Sequence, residues 1–456
     1  MSDSIVSGSY KDPSGHLFIR NKILYRQVNF SYQKDYDFLI DSGLYQSLSE
    51  SNRLINHIEI DNSDKGTYKL LQPTFINTFS YPYEWSFSQL KDAAFLTLHI
   101  QKESLLKGMT LKDASAYNVT FYQGQATFID TLSFDRYRDG EPWVAYKQFC
   151  QHFLAPLVLM SKRDVRLNSL LKSYIDGVPL DLASSLLPTT SYFNLGIFLH
   201  VHLHARSQKK YSETSDAKKI ESAHLSKSRL FALIDSLEST IRKLKWSPGG
   251  TEWDDYYANN NNYDDSSMPD KERKIELLLS QIKPNTVWDL GANFGNFSRI
   301  ASKYSESVIA WDIDPSCVER NYLTLKKTKE NITPLLVDLT NPSPSIGWNC
   351  RERASFFERD EPDVILALGL VHHLAISNNT PLSYIFEFLS RLSRNVIIEF
   401  IPKSDSQVKK LLSSREDIFE DYTQEGFERV LLNFFKIVSL EKIKDSERSI
   451  YYLKKV

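Results

Sequence analysis

The sequence predicts an α/β protein in two dissimilar parts: an α+β domain over residues 1–210, and a doubly wound domain on a largely parallel sheet over residues 271–456. Three observations predict it. Beyond Lys271, short apolar runs alternate regularly with helix-forming stretches, the pattern of βαβ units. Before residue 210, alternating strands and amphipathic helices mix in no such order. Between the two, residues 211–270 carry a charge-rich helical stretch and then a segment dominated by Gly, Asn, Asp and Ser, the composition of a connector. A chain of 456 residues exceeds one ordinary core, which agrees with this division.

In the N-terminal part, residues 17–30 (LFIRNKILYRQVNF) alternate apolar and polar side chains around Asn21-Lys22 and predict a β-hairpin with one wet face. From Ser86 to Lys107 apolar residues recur at three- and four-residue spacing, and Gly108 supplies the stop of a helix. Helical patterns follow over Trp143 to Met160, interrupted by Pro156, and over Tyr192 to Arg206. Residues 215–245 continue as a charged helix into an asparagine run with Trp253, Tyr256, Tyr257 and Tyr263, either a plain spacer or a partly packed segment. In the C-terminal part the expected strands are 286–290, 307–311, 334–337, 363–368 and 395–400, and the pair 435–441 and 448–454 closes the chain as an antiparallel hairpin.

Composition narrows the function classes. With 41% hydrophobic and 25% charged residues and a formal net charge of −2, the chain has an ordinary globular makeup and no global field that would gather nucleic acid or an anionic membrane. Cys150, Cys317 and Cys350 are far apart and odd in number, so neither a disulfide framework nor a zinc or other metal site is predicted. The polar N-terminus lacks a secretory core, and no window approaches the roughly 18 apolar residues of a spanning helix, so a cytoplasmic location without membrane attachment is expected.

The stretch TVWDLGANFGNFSRIASKY runs from an apolar strand through a glycine-bearing turn into a helix, the ligand-binding corner of a Rossmann-like unit. Its G-A-N-F-G spacing departs from the G-x-G-x-x-G dinucleotide fingerprint, which disfavours NAD. The second strand ends in VIAWDIDP and places Asp312 at the sheet's carboxyl edge, where a carboxylate can accept both hydroxyls of a ribose. The third ends in LLVDL, which presents Asp338; the bland alternative is that these aspartates only cap helices.

These residues resemble the motifs of class I S-adenosylmethionine-dependent methyltransferases, with Asn293 standing where the middle glycine usually sits. The resemblance implies a Rossmann-like seven-stranded methyltransferase sheet with S-adenosylmethionine as cofactor. It also implies roles: Asp289 and Gly291, on a loop shaped by Asn293 and Gly295, line the methionine end. Asp312 with its neighbour Ile313 holds the ribose, Asp338 with Leu339 the adenine, and Leu368 begins the loop over the methyl group. Tyr263 is a candidate lid over the cofactor. His372, His373 and Glu399 are candidate bases or acceptor ligands, the histidines weighed against mere packing roles. Asn341-Pro342-Ser343-Pro344 follows the third strand rather than the fourth, the wrong place to grip a nucleobase nitrogen, so a nucleic-acid acceptor is not favoured.

Residues 110–134 carry Asp113, Asn118 and Asp130 in an order that resembles the catalytic loop and metal-binding aspartate of kinases and small-molecule phosphotransferases. The flanking residues depart from that pattern, no glycine-rich loop is present, and Arg26 occupies the nearest place for a strand lysine. A nucleotide-binding or phosphotransferase N-terminal domain with a regulatory C-terminal domain is therefore the alternative reading, and a non-catalytic assembly protein that keeps cofactor affinity is a third. The blocks SYPYEWSFSQLKDAA, LKDASAYNV, EPWVAYKQFCQHFLAPL, DLGANFGNFS, ALGLVHHLAI and EFIPKSDSQV together resemble the NoeA family of nodulation proteins over nearly the whole chain. That resemblance implies a methyltransferase with an attached N-terminal domain and leaves the acceptor open among small molecules, glycans and protein side chains.

Overall fold

The computed structural model describes residues 4–61, 66–206, 225–249, 267–413 and 415–456. Two compact units make up the chain: Met1–Ser247 with Ser345–Ala354, and Pro248–Pro344 with Ser355–Val456.

In the first unit, β1 (Ser4–Ile5), β2 (Gly15–Arg20), β3 (Ile23–Val28), β4 (His57–Ile60) and β5 (Lys69–Pro73) form an antiparallel sheet in the order β1-β2-β3-β5-β4. The turn joining β2 to β3 is Asn21-Lys22, with φ of 53° and 65°. Two residues in the left-handed region match the twist of the strands they join, which is why so short a loop closes this hairpin. A helix then spans Phe87–Leu106. Ser86 caps it by accepting from Gln89 N while the Gln89 side chain accepts from Ser86 N, and Gly108 ends it at φ 78°. Leu90, Ala94, Leu98, Ile100 and Leu105 are all buried, so this helix is wrapped on several faces and forms a core element.

The segments β6 (Met109–Leu111), β7 (Val119–Tyr122), β8 (Gln125–Phe128) and β9 (Phe134–Arg136) pair as β6 with β9 and β7 with β8. The helical run from Tyr146 to Lys162 passes through Pro156 without ending. A π-turn over Cys150–Leu154 precedes the proline and loosens the helical ladder just where the proline has no N–H to contribute. The helix Lys227–Lys243 belongs to this unit rather than to a connector. It buries Leu230, Ile234, Leu237 and Ile241, and its Asp235 and Glu238 bind Lys102 of the Phe87–Leu106 helix at 2.7 and 2.6 Å. The excursion Ser345–Ala354, which lies between two strands of the other unit in sequence, has no counterpart in the predicted boundaries.

In the second unit the strands are β10 (Thr286–Leu290), β11 (Ser307–Asp312), β12 (Ile332–Leu336), β13 (Val364–Ala367), β14 (Asn395–Phe400), β15 (Phe435–Lys442) and β16 (Ser449–Lys455). Among the described residues they form one seven-stranded sheet ordered β12-β11-β10-β13-β14-β16-β15, with β10 to β14 parallel and β16 antiparallel to both its neighbours. This is the predicted seven-stranded Rossmann-like sheet with its closing hairpin. The inner strands are apolar throughout because helices cover both faces, and every residue of β10 and β13 is buried. The chain winds outward from β10 through β12 and then returns to the other side of β10. That reversal opens a crevice at the carboxyl ends of β10 and β13. Among the described residues no helix is long and apolar enough to cross a membrane.

Candidate functional site

The crevice begins at the glycine turn. Gly291, Asn293 and Gly295 adopt φ of 77°, 51° and 80°, all in the left-handed region that side chains resist. Asparagine enters that region more readily than other side chains, and the side-chain oxygen Oδ1 of Asn293 accepts from Phe294 N at 2.8 Å. At Gly295 a β-carbon would lie 2.5 Å from the Asn321 amide nitrogen, so this position requires glycine for space as well as for conformation. The turn delivers the chain into the helix Asn296–Ser302, whose Ser298 hydroxyl donates to Asp289 at 2.6 Å.

Asp312 is the last residue of β11. Its two carboxylate oxygens accept from Asn293 N at 2.7 Å and from Asp314 N at 2.9 Å, so the glycine turn and the second strand tip share one acid. Burial pushes its carboxyl up to about 6, against the backbone donors that favour the charged form. Asp289 is likewise pushed up to about 6 by burial and by the neighbouring Asp312, while Ser298 and the charge of Lys271 oppose the rise. Asp338 stands two residues past β12 and accepts from both the backbone and the hydroxyl of Thr340, at 2.9 and 2.6 Å.

One cavity of about 370 Å³ gathers these groups. Asp289, Gly291, Asn293, Asp312, Ile313, Asp338, Leu339 and Leu368 all line it, and Gly295 shapes the turn from behind. Beyond Leu368 the wall continues through Gly369, Leu370, His373, Leu374, Ser377, Asn378 and Leu411, a largely apolar end with one imidazole, one hydroxyl and one amide. The two histidines part company here. His373 lines the cavity and is pushed down to about 4 by burial, so its ring is neutral at pH 7. His372 is buried away from the cavity wall, with no hydrogen-bond partner on either ring nitrogen among the described residues. Burial, with the charges of His373, Arg448 and Lys271, holds it well below the usual imidazole range. Glu399 is fully buried, bound to Lys271 at 2.7 Å and Arg448 at 3.7 Å, and is not itself among the cavity-lining residues. Tyr263, with Trp253, Tyr256 and Tyr257, lies outside the described residues.

A curated relative from Rhizobium meliloti (strain 1021), the nodulation protein NoeA, is 36% identical over 98% of this chain and 95% of its own length. The chain belongs to the NoeA family. No protein-family model matches it. Among solved structures, the PH0226 protein of Pyrococcus horikoshii OT3 is 15% identical and covers 46% of this chain and 100% of its own, with a TM-score of 0.34. The N-methyltransferase NodS of Bradyrhizobium japonicum WM9, in complex with S-adenosyl-L-homocysteine, is 11% identical and covers 44% of this chain and 96% of its own, with a TM-score of 0.32. The sheet order, rather than these remote likenesses, describes the fold of this NoeA-family chain.

In the first unit Asp113, Asn118 and Asp130 do converge, but their bonding is closed. Arg26 and the Ser133 hydroxyl both bind the Asp130 carboxylate and, against its burial, hold it below the usual carboxylate range. Asn118 donates to Ser133 at 3.3 Å, and Asp113 accepts from Gln148 and Ser115 at 2.8 and 2.9 Å. With the metal-binding acid paired to an arginine, the phosphotransferase alternative gains no support.

Sequence reasoning missed Lys271, Phe297, Trp311 and Leu411 as cavity residues of the NoeA-family chain. Phe297 and Trp311 carried a signal, since each adjoins a motif residue. Lys271 and Leu411 did not, because each lies on a helix outside the strand-to-turn motifs, and only the folded chain brings those helices to the cavity.

Proposed function

We propose that the second unit binds S-adenosylmethionine in the crevice at the carboxyl ends of β10, β11 and β13 and transfers its methyl group to a small molecule, glycan or protein side chain. The observation that carries this reading is the convergence of Asp289, Asp312 and Asp338, from three successive parallel strands, on one cavity beside a glycine turn. The donor set suits the group: acids raised by burial favour a cationic ligand, and Asp312, pinned by two backbone amides, presents its remaining lone pairs outward to hydroxyls. Asp338, anchored by Thr340, suits an exocyclic amine.

When bound, the cofactor supplies a methyl group on an electrophilic sulfonium. The protein's task is then alignment and exclusion of water. Leu368, Leu370, Leu374 and Leu411 keep the far end of the cavity largely apolar, and neutral His373, with Ser377 and Asn378, supplies the polar groups that face an incoming acceptor there. His372 and Glu399 act through packing and charge pairing. A cytoplasmic location accompanies this reading, in keeping with three cysteines too scattered for a disulfide framework.

Titration calorimetry of S-adenosylmethionine and its demethylated product against wild type and Asp312→Ala tests the binding half. Turnover with methyl-labelled cofactor and fractionated extract tests the transfer half. Unchanged affinity in Asp312→Ala would remove the ribose assignment.

A further inference from the structure

The cavity wall contains one cation among its described residues, Lys271, and a buried charge network stands behind it. Its side chain is 3% exposed and its ammonium is 2.7 Å from Glu399 Oε2. The ammonium also lies 4.6 Å from the centre of the Phe297 ring, another cavity residue. Glu399 is bound on its other oxygen by Arg448, which in turn donates to Asp405 at 2.8 Å. Two cations and two anions are thus held in a row, from the cavity wall inward to the helix start at Asp405. Such a row is charge-neutral, and apolar residues of similar volume would serve stability as well or better. Its arrangement is explained by what it presents: a lysine whose position is set by Glu399, placed where its charge acts on Asp289 at the proposed methionine end of the cavity.

Resting on the methyltransferase reading, we propose that Lys271 is the residue that binds the carboxylate of the cofactor's amino-acid end, and that Glu399, backed by Arg448 and Asp405, is its positioning residue. The amino-acid end is a zwitterion, and the cavity's three carboxylates serve only its ammonium and the nucleoside. Its single anionic group needs a cation, and Lys271 supplies it. The network stays balanced as the ligand enters, since Glu399 compensates Lys271 before binding and shares it afterwards. This also gives Glu399, buried out of reach of any acceptor, a function at the site.

The test compares two ligands by titration calorimetry on the full chain: S-adenosylmethionine, and decarboxylated S-adenosylmethionine, which has the same sulfonium and differs only in lacking the carboxylate. Wild type is expected to prefer the carboxylated ligand, and Lys271→Met to lose on the order of 10- to 100-fold in affinity for it with little change for the decarboxylated one. Lys271→Arg should recover part of the preference, and Glu399→Gln should narrow it by less than Lys271→Met does. Equal losses for both ligands in Lys271→Met, or a wild type indifferent to the carboxylate, overturn the proposal and leave the methyltransferase reading standing. A wild type that binds neither ligand overturns both.

Discussion

Two polar trios, one in each unit, were visible as spaced residues, and the structure treats their acids differently. Asp289, Asp312 and Asp338 line a cavity, and their partners among the described residues are mostly neutral donors: a serine, a threonine and backbone amides. Asp113, Asn118 and Asp130 also come together, yet Arg26 neutralises Asp130, Asn118 bonds to Ser133, and Asp113 to Gln148 and Ser115. Convergence of polar residues is therefore not sufficient for a site. What separates the two is whether the charge has been cancelled from within the protein. An acid held by neutral donors keeps its attraction for a ligand; an acid held by an arginine has spent it on the fold.

The comparison can be broken first in the first unit. Asp130→Ala leaves Arg26, whose side chain is only 11% exposed, without its partner, and should cost about 3 kcal/mol, as removal of one member of a buried pair does. Thermal unfolding would register it as the largest shift among the changes described here, while affinity for S-adenosylhomocysteine should not move. A loss of affinity instead would make the first unit's trio part of the binding site.

Asp312→Ala is the mirror experiment. The fold should tolerate it, since the acid it removes is raised by burial, while cofactor affinity should fall by about 10- to 100-fold, the value of hydrogen bonds to a charged group. Calorimetry beside a melting curve separates the two effects, and a large drop in melting temperature with intact affinity would reverse the assignment.

The pH dependence sharpens the contrast further. Asp289 and Asp312, at about 6 in the folded protein against an ordinary 3.8, favour the folded state most at acid pH, and that contribution is lost as pH rises through 6. A cationic ligand reverses the preference by favouring the ionised acids. The rise in melting temperature on adding S-adenosylmethionine should thus be greater at pH 7 than at pH 5, with affinity differing by roughly threefold to tenfold. A stabilisation independent of pH would detach these acids from the cofactor. The smallest expected effect is at the turn: Asn293→Gly relaxes a left-handed asparagine and should change stability by no more than about 0.5 kcal/mol, read from the same melting curves.

Much of the second unit was legible because its signals are local. β10 and β14 occupy the predicted residues 286–290 and 395–400 without shift, since a strand buried on both faces reads as a continuous apolar run. Asp312 and Asp338 were found because a parallel strand delivers the residue at its carboxyl end to one rim. The roles of the other candidates were not legible in this way. His372 and His373 are adjacent, and only packing assigns one to the cavity and the other to the interior. Glu399 reads as an exposed strand-end acid, yet its two partners come from residues 128 and 49 positions away along the chain. The helix Lys227–Lys243 reads as a connector because its polar face is conspicuous in sequence; its place in the first unit rests on the burial of Leu230, Ile234, Leu237 and Ile241, with Lys102 pairing to its Asp235 and Glu238.

By itself the sequence determined the class of each unit, the parallel strands and their closing hairpin, and the acids and glycine turn at one rim. These follow from periodicity and from backbone rules that act over a few residues. The tertiary structure alone decided which charges are spent and which remain available: Asp130 cancelled by Arg26, Asp312 held by backbone amides, and Lys271 set at the cavity wall by Glu399. Burial and pairing are properties of groups brought together across the chain, and it is they, rather than residue type, that fix what a side chain can still bind.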